Sequence, residues 1–155
     1  MALEAGDQAP DYTLLDQNNI PNSLKDLMGK TTLIYFYPKD ETPGCTAQAC
    51  SLRDNFEDLQ AKGIDIIGVS KDDVASHLSF SQKHKLPFTI LADPSTKMID
   101  AYGAWGQKSM YGRKFMGIVR SAVLVGPNLE ILHVWPKIQP LKTVSEVEKW
   151  LKENR

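Results

Sequence analysis

The sequence is short of most features that announce a function. Only two of its 155 residues are cysteine, Cys45 and Cys50. That is too few for a disulfide-stapled secreted module, and in an intracellular chain the pattern points to metal or redox chemistry. Charge of one sign is also lacking: 18 basic and 19 acidic side chains leave a net charge of -1. No electrostatic case arises for nucleic acid or for an anionic membrane surface. No apolar run approaches the roughly 20 residues of a membrane span, so no membrane association is expected. Met1–Asp7 shows neither a basic start nor an apolar segment, so no secretory signal is expected and a cytoplasmic protein is the working expectation. Repeats, low-complexity blocks and Pro/Gly/Ser-rich linkers are missing too.

What remains is an ordinary globular composition, 42% hydrophobic and 24% charged. At this length a single domain over residues 1–155 buries roughly two-thirds of its unfolded surface and needs no staples. The clearest strand is Thr31–Tyr37, a continuous β-branched and aromatic run of the kind covered on both faces. Ile64–Val69 and Phe88–Leu91 read as further strands. Ser121–Val125 and Glu130–Val134 flank the turn Gly126-Pro127-Asn128-Leu129 and read as a hairpin. A helix is expected from about Cys45 to Lys62, ended by Gly63, because Cys45, Ala49, Leu52, Phe56 and Leu59 recur at helical spacing. Ser70-Lys71-Asp72-Asp73 has the shape of an N-cap with acidic first-turn residues, opening a second helix that runs to about Lys85. A third should follow the capping-box pattern Thr143-Val144-Ser145-Glu146. Strand–helix alternation with an added hairpin predicts a three-layer α/β sandwich around a mixed sheet. Residues 103–120, with four glycines, read as a long loop.

Chemistry concentrates in Tyr37-Pro38-Lys39-Asp40-Glu41-Thr42-Pro43-Gly44-Cys45 and on to Cys50. Cys45 falls in the first turn of a helix that follows the C-terminal end of a parallel strand, where α/β sheets usually place ligands. Unpaired N–H groups and the helix dipole stabilise an anion there and favour the thiolate. Cys45 therefore reads as a nucleophile, and Cys50, deeper in the helix, as a supporting residue. Five residues along an α-helix give a rise of about 7.5 Å and a rotation of about 140° beyond one turn. The Cα atoms then lie roughly 8–9 Å apart, past the ~7 Å limit for a disulfide without backbone movement. If the two cysteines pair, the helix start must unwind, and such a bond is a switch. His77, His84 and His133 form no cluster at metal-ligand spacing and read as surface or packing residues.

The motif Pro38-x-x-x-Thr42-x-x-Cys45 resembles the active-site motif of the peroxiredoxins. Cys50, five residues on, is similar to the resolving cysteine of the bacterioferritin comigratory protein (Prx Q) subfamily. The resemblance extends through Phe36–Asp40, Thr42–Thr46, Ala49–Asp54, Tyr102–Gly106 and Gly117–Arg120, and covers the chain from about Gly6 to Leu151. It implies a thioredoxin-like fold and a thiol-dependent peroxidase acting on hydrogen peroxide and alkyl hydroperoxides, in antioxidant defence and redox homeostasis.

Carried over by position, Cys45 is the expected peroxidatic cysteine and Thr42 and Arg120 its activating partners. Pro38 is expected to shield the site and shape the turn, and Cys50 to form an intramolecular disulfide in an atypical two-cysteine cycle. Thioredoxin is the implied reductant, with glutaredoxin as a second candidate. No metal or organic cofactor is required, and a monomer is expected because the resolving cysteine lies in the same chain. Gln48 stands where many relatives carry an acidic residue. Two readings from other classes are a thioredoxin-fold copper chaperone, which would bind copper stoichiometrically, and a disulfide carrier inert toward peroxide.

Overall fold

The computed structural model describes residues 3–155. A seven-stranded mixed sheet runs in the order β2-β1-β5-β4-β3-β8-β9. Its strands are β1 (Thr13–Asp16), β2 (Pro21–Ser23), β3 (Thr31–Phe36), β4 (Ile64–Ser70), β5 (Thr89–Ala92), β8 (Ser121–Val125) and β9 (Ile131–Trp135). A separate hairpin consists of β6 (Trp105–Met110) and β7 (Arg113–Ile118). The helices are α1 (Pro43–Asp54), α2 (Phe56–Ala61), α3 (Val74–His84), α4 (Lys97–Ala101) and α5 (Thr143–Asn154). Every strand expected in the main sheet is present, and the three-layer arrangement holds. Among the described residues no helix is long and apolar enough to cross a membrane.

β3 is the centre of the sheet and is buried along its whole length. It pairs in parallel with β4 and antiparallel with β8. Because side chains alternate across a strand, β3 divides the core in two. Leu33, Tyr35 and Tyr37 join Cys45, Ala49, Leu52, Phe80, Val147 and Leu151 in one layer, while Ile34 and Phe36 join Val69, Met98, Tyr102 and Ile118 in the other. The first layer, between the sheet and α1, α3 and α5, carries Cys45.

Four expectations need correction. The helix expected to open at Ser70 begins at Val74, because Ser70 still belongs to β4 and Asp73 is the cap, its side chain accepting from the Ser76 N–H at 2.8 Å. The helix expected over residues 45–62 is two helices. Asn55 leaves helical geometry (φ -110°, ψ 8°) and its side-chain amide donates to the Ser51 carbonyl at 2.8 Å. The Asn55 N–H donates to that same carbonyl at 3.2 Å, so the side chain adds a second donor there while the backbone turns out of the helix. Residues 103–120 are not a loop, for β6 and β7 pair from Trp105↔Ile118 to Met110↔Arg113. The two-residue connection Tyr111-Gly112 has positive φ at both positions (53° and 79°), the primed turn that matches strand twist. Lastly, Thr143 is the first residue of α5 rather than its cap, and its hydroxyl donates to Gln139 O at 3.1 Å.

Candidate active site

Strand pairing brings the site together. Phe36, the last residue of β3, stands opposite Ser121, the first of β8. Arg120 is thereby delivered to the same sheet end from which residues 37–42 lead into α1. Thr42 is the N-cap, in extended geometry, and Pro43 occupies N1, where its missing N–H costs no helical bond. Cys45 is the third residue of α1 and only 2% exposed.

Arg120 addresses Cys45 directly. Its Nη2 lies 3.3 Å from Cys45 Sγ while Nη1 donates to Gln48 Oε1 at 2.7 Å. Gln48, fully buried, donates from Nε2 to Thr143 Oγ1 at 3.0 Å. The guanidinium fork is thus held at one prong by a neutral amide anchored on α5, leaving the other prong for sulfur. The guanidinium and the helix start both place positive potential at the sulfur. Thr42 is placed differently. Its hydroxyl donates to Lys39 O at 2.8 Å, so it closes the turn and presents oxygen lone pairs, not its proton, to its surroundings. Pro38, half-buried, lies in the same turn.

Cys50 is partly exposed and belongs to another face of α1, where its Sγ is 3.9 Å from His84 Nδ1 on α3. Both cysteines are free. Lys108, on β6, sits near Arg120, and burial together with that guanidinium holds its ammonium below the ordinary lysine range.

The turn is anchored by a buried network that sequence reasoning missed. Asp40 Oδ1 accepts from Tyr37 Oη at 2.6 Å, and Oδ2 lies 2.8 Å from Ser76 Oγ and 2.7 Å from His77 Nδ1. The Asp40 N–H donates to Asp72 Oδ2 at 2.9 Å, and His77 Nε2 lies 2.9 Å from Leu91 O. His77, read above as a surface or packing residue, is a fully buried polar anchor; His133 does pack edge-on against Trp135. Asp40, Asp72 and His77 group closely enough to suggest a metal, but their oxygens already accept from N–H and O–H donors within the chain. The one available signal was polar residues at the start of α3, and it names no partner.

Burial pushes the Asp40 carboxyl up, but the bonds from His77, Tyr37 and Ser76 outweigh it and hold Asp40 below the usual carboxylate range. Its folded pKa is thus lower than its unfolded value of about 3.9. The stabilisation is present above about pH 4 and is lost as pH falls through the lower folded value. Asp40→Asn should therefore unfold at a lower urea concentration at neutral pH, with a smaller further loss on acidification. Parallel acid profiles for the two proteins would overturn this.

Gly44 contributes by what it lacks. A Cβ there would stand 3.2 Å from Arg120 Nη2. Gly44→Ala should keep the fold, since alanine favours the helix, yet displace the guanidinium and slow the Cys45 reaction with peroxide about tenfold. Stopped-flow peroxide consumption checks this; an unchanged rate would show that the guanidinium does not need its close seat.

The AhpC/TSA family profile matches residues 5–134. The chain belongs to that family, as a peroxiredoxin of the bacterioferritin comigratory protein (Prx Q) group. Peroxiredoxin Bcp of Escherichia coli is 40% identical over 152 residues, covering 98% of this chain and 97% of its own. A Coxiella burnetii relative bearing the bcp name is 43% identical over 147 residues, 95% of this chain and 97% of its own. Among solved structures, one of the Xanthomonas campestris bacterioferritin comigratory protein superposes with a TM-score of 0.88 at 30% identity, covering 97% of this chain and 98% of that one. That work concerns the Xanthomonas protein's alkyl peroxide reduction activity. The peroxiredoxin therefore has a thioredoxin-like fold and sits in a family of peroxidases.

Proposed function

We propose that this peroxiredoxin acts as one domain over residues 1–155 and reduces hydrogen peroxide and alkyl hydroperoxides by a two-cysteine cycle. The observation that carries this reading is the Arg120 guanidinium 3.3 Å from the buried Cys45 sulfur at the start of α1. The Cys45 thiolate attacks one peroxide oxygen, the O–O bond breaks, and water or alcohol leaves as a sulfenic acid forms. Negative charge moves onto the departing oxygen, and preorganised donors on the spot lower the barrier. Arg120 and the Cys45 N–H are suited to that task. Thr42, with its proton committed to Lys39 O, can accept a hydrogen bond from a hydroperoxide O–H.

The start of α1 then unwinds and Cys50 attacks the sulfenic sulfur, forming the Cys45–Cys50 disulfide and releasing water. A thioredoxin-type dithiol restores both thiols by exchange, glutaredoxin being the second candidate. The cycle needs neither a metal nor a second subunit, and a cytoplasmic monomer fits it. The test is one equivalent of peroxide followed by peptide mapping without reductant. A Cys45–Cys50 linkage is expected; a linkage between two chains, or none, would overturn the intramolecular cycle.

A further inference from the structure

The two cysteines have unequal surroundings. Cys45 has the helix start and Arg120. Cys50 is the eighth residue of α1, beyond the reach of the dipole's first turn, and Arg120 is engaged elsewhere. Yet an attacking sulfur must be a thiolate, and an ordinary thiol near pH 7 is ionised only to a few per cent. Resolution of the sulfenic acid therefore calls for a base at Cys50.

One group stands in that place. His84, the last residue of α3, turns Nδ1 toward Cys50 Sγ at 3.9 Å. The other side of the ring faces Glu41, with Nε2 3.5 Å from Oε2. Nε2 is buried and has no hydrogen-bond partner of good geometry, so the carboxylate is the group its proton can address. Phe80 meets the ring edge-on at 5.1 Å and fixes its plane. Arg53 Nη1 donates to the His84 carbonyl at 2.8 Å, tying α1 to the end of α3.

We propose that His84 is the general base for the resolving thiol, oriented by Glu41, the inference resting on the reading of Cys50 as the resolving cysteine. With the Nε2 proton directed at Glu41, the Nδ1 lone pair points to sulfur, the arrangement of a nucleophile, a base and an orienting acid. The Cys50 S–H proton passes to Nδ1, leaving thiolate and imidazolium, and Glu41 stabilises the imidazolium. After the helix start unwinds, the thiolate attacks the Cys45 sulfenic sulfur. The S–S bond forms as the S–O bond breaks. The departing hydroxide takes a proton, which the imidazolium can return, and leaves as water. Cys50 sulfur is oxidised and the sulfenic sulfur reduced, so the step needs no further reagent.

The other charged and titratable groups around this pair are few. Lys83 Nζ is 3.2 Å from Glu41 Oε2, and Arg53 also pairs with Asp54 at 3.0 Å. Tyr35 lies beneath both cysteines, its hydroxyl pushed far above the ordinary tyrosine range by burial, so it stays neutral.

The test reads Cys50 alone first. In a Cys45→Ser background, the rate of Cys50 alkylation by iodoacetamide is followed from about pH 5.5 to about pH 9.5. His84→Asn should lower that rate about tenfold near neutrality and leave it unchanged at the alkaline end, where the thiol ionises unaided. Glu41→Gln should give a smaller loss of the same form. With Cys45 restored, His84→Asn should consume the first equivalent of peroxide at the parent rate, form the disulfide more slowly and accumulate more sulfinic acid.

Superimposable alkylation profiles, or equal rates of disulfide formation, overturn the role of His84. A change in the unaltered protein keeps the test independent of any packing defect in the variant: its disulfide-forming step must slow on acidification through the imidazole range, and a flat profile there also overturns the proposal. If the unaltered protein forms no Cys45–Cys50 bond at all, the resolving role of Cys50 fails and the proposal with it. A bond that forms at the same rate without His84 defeats the proposal alone.

Discussion

Cys50→Ser should consume its first equivalent of hydroperoxide as fast as the parent protein and then fail to turn over. The first step uses Cys45, the Cys45 N–H, Thr42 and Arg120, none of which touches the Cys50 side chain. Serine is close to cysteine in size, and Cys50 is only partly buried, so α1 keeps its packing through Cys45, Ala49 and Leu52. Without a second sulfur the sulfenic acid waits for another oxidant and climbs to sulfinic acid, which thioredoxin does not reverse. Three readings check this: single-turnover peroxide consumption at the parent rate, loss of steady-state turnover with thioredoxin, and a mass gain of two oxygens under excess peroxide. Cys45→Ser should lose even the first equivalent. Sustained thioredoxin-dependent turnover by Cys50→Ser would place the resolving thiol in another molecule.

Arg120→Met should slow the reaction of Cys45 with peroxide by about 10²–10³-fold, the usual loss when one preorganised donor to a developing charge is removed. Methionine retains much of the side chain's length and apolar stem, so the change isolates the guanidinium. The loss combines the positive potential removed from the sulfur with weaker stabilisation of the leaving oxygen. Arg120→Lys should recover little, because one ammonium cannot hold Gln48 at 2.7 Å and face Sγ at 3.3 Å together. A loss below about threefold would remove Arg120 from the chemical step.

The parts of this molecule legible in its sequence are those whose signals are local. The continuous apolar run of β3, the Pro-Gly-Cys start of α1 and the periodic face of that helix each follow from neighbouring residues. The nucleophile could be placed because a strand end, a cap and a cysteine fall within ten positions. Arg120 came only by resemblance, since it meets Cys45 across 75 residues through the pairing of β3 with β8. Asp40 and His77 stayed hidden for the same reason, being 37 residues apart with polar side chains that suggest a surface. The β6–β7 hairpin hid differently. Its turn places Tyr111 at positive φ where asparagine or aspartate would have marked it, and β7 is exposed along most of its length, so it shows no alternation. The break at Asn55 was invisible because the apolar period continues through Phe56 and Leu59 as if nothing intervened.

In the proposed cycle, that break sets how far the protein would come apart. Helices melt cooperatively, and one unbroken helix over residues 43–61 would draw Leu59, fully buried, out of the core when its first turns open. Asn55 divides the span into two units that can exchange with solvent separately. Upstream, the Asp40–His77 anchor fixes the chain just before Thr42. The segment free to rearrange is bounded on both sides, about a dozen residues long, and contains both cysteines. In hydrogen exchange, α1 amides should lose protection after oxidation while those of α2 and β4 keep theirs.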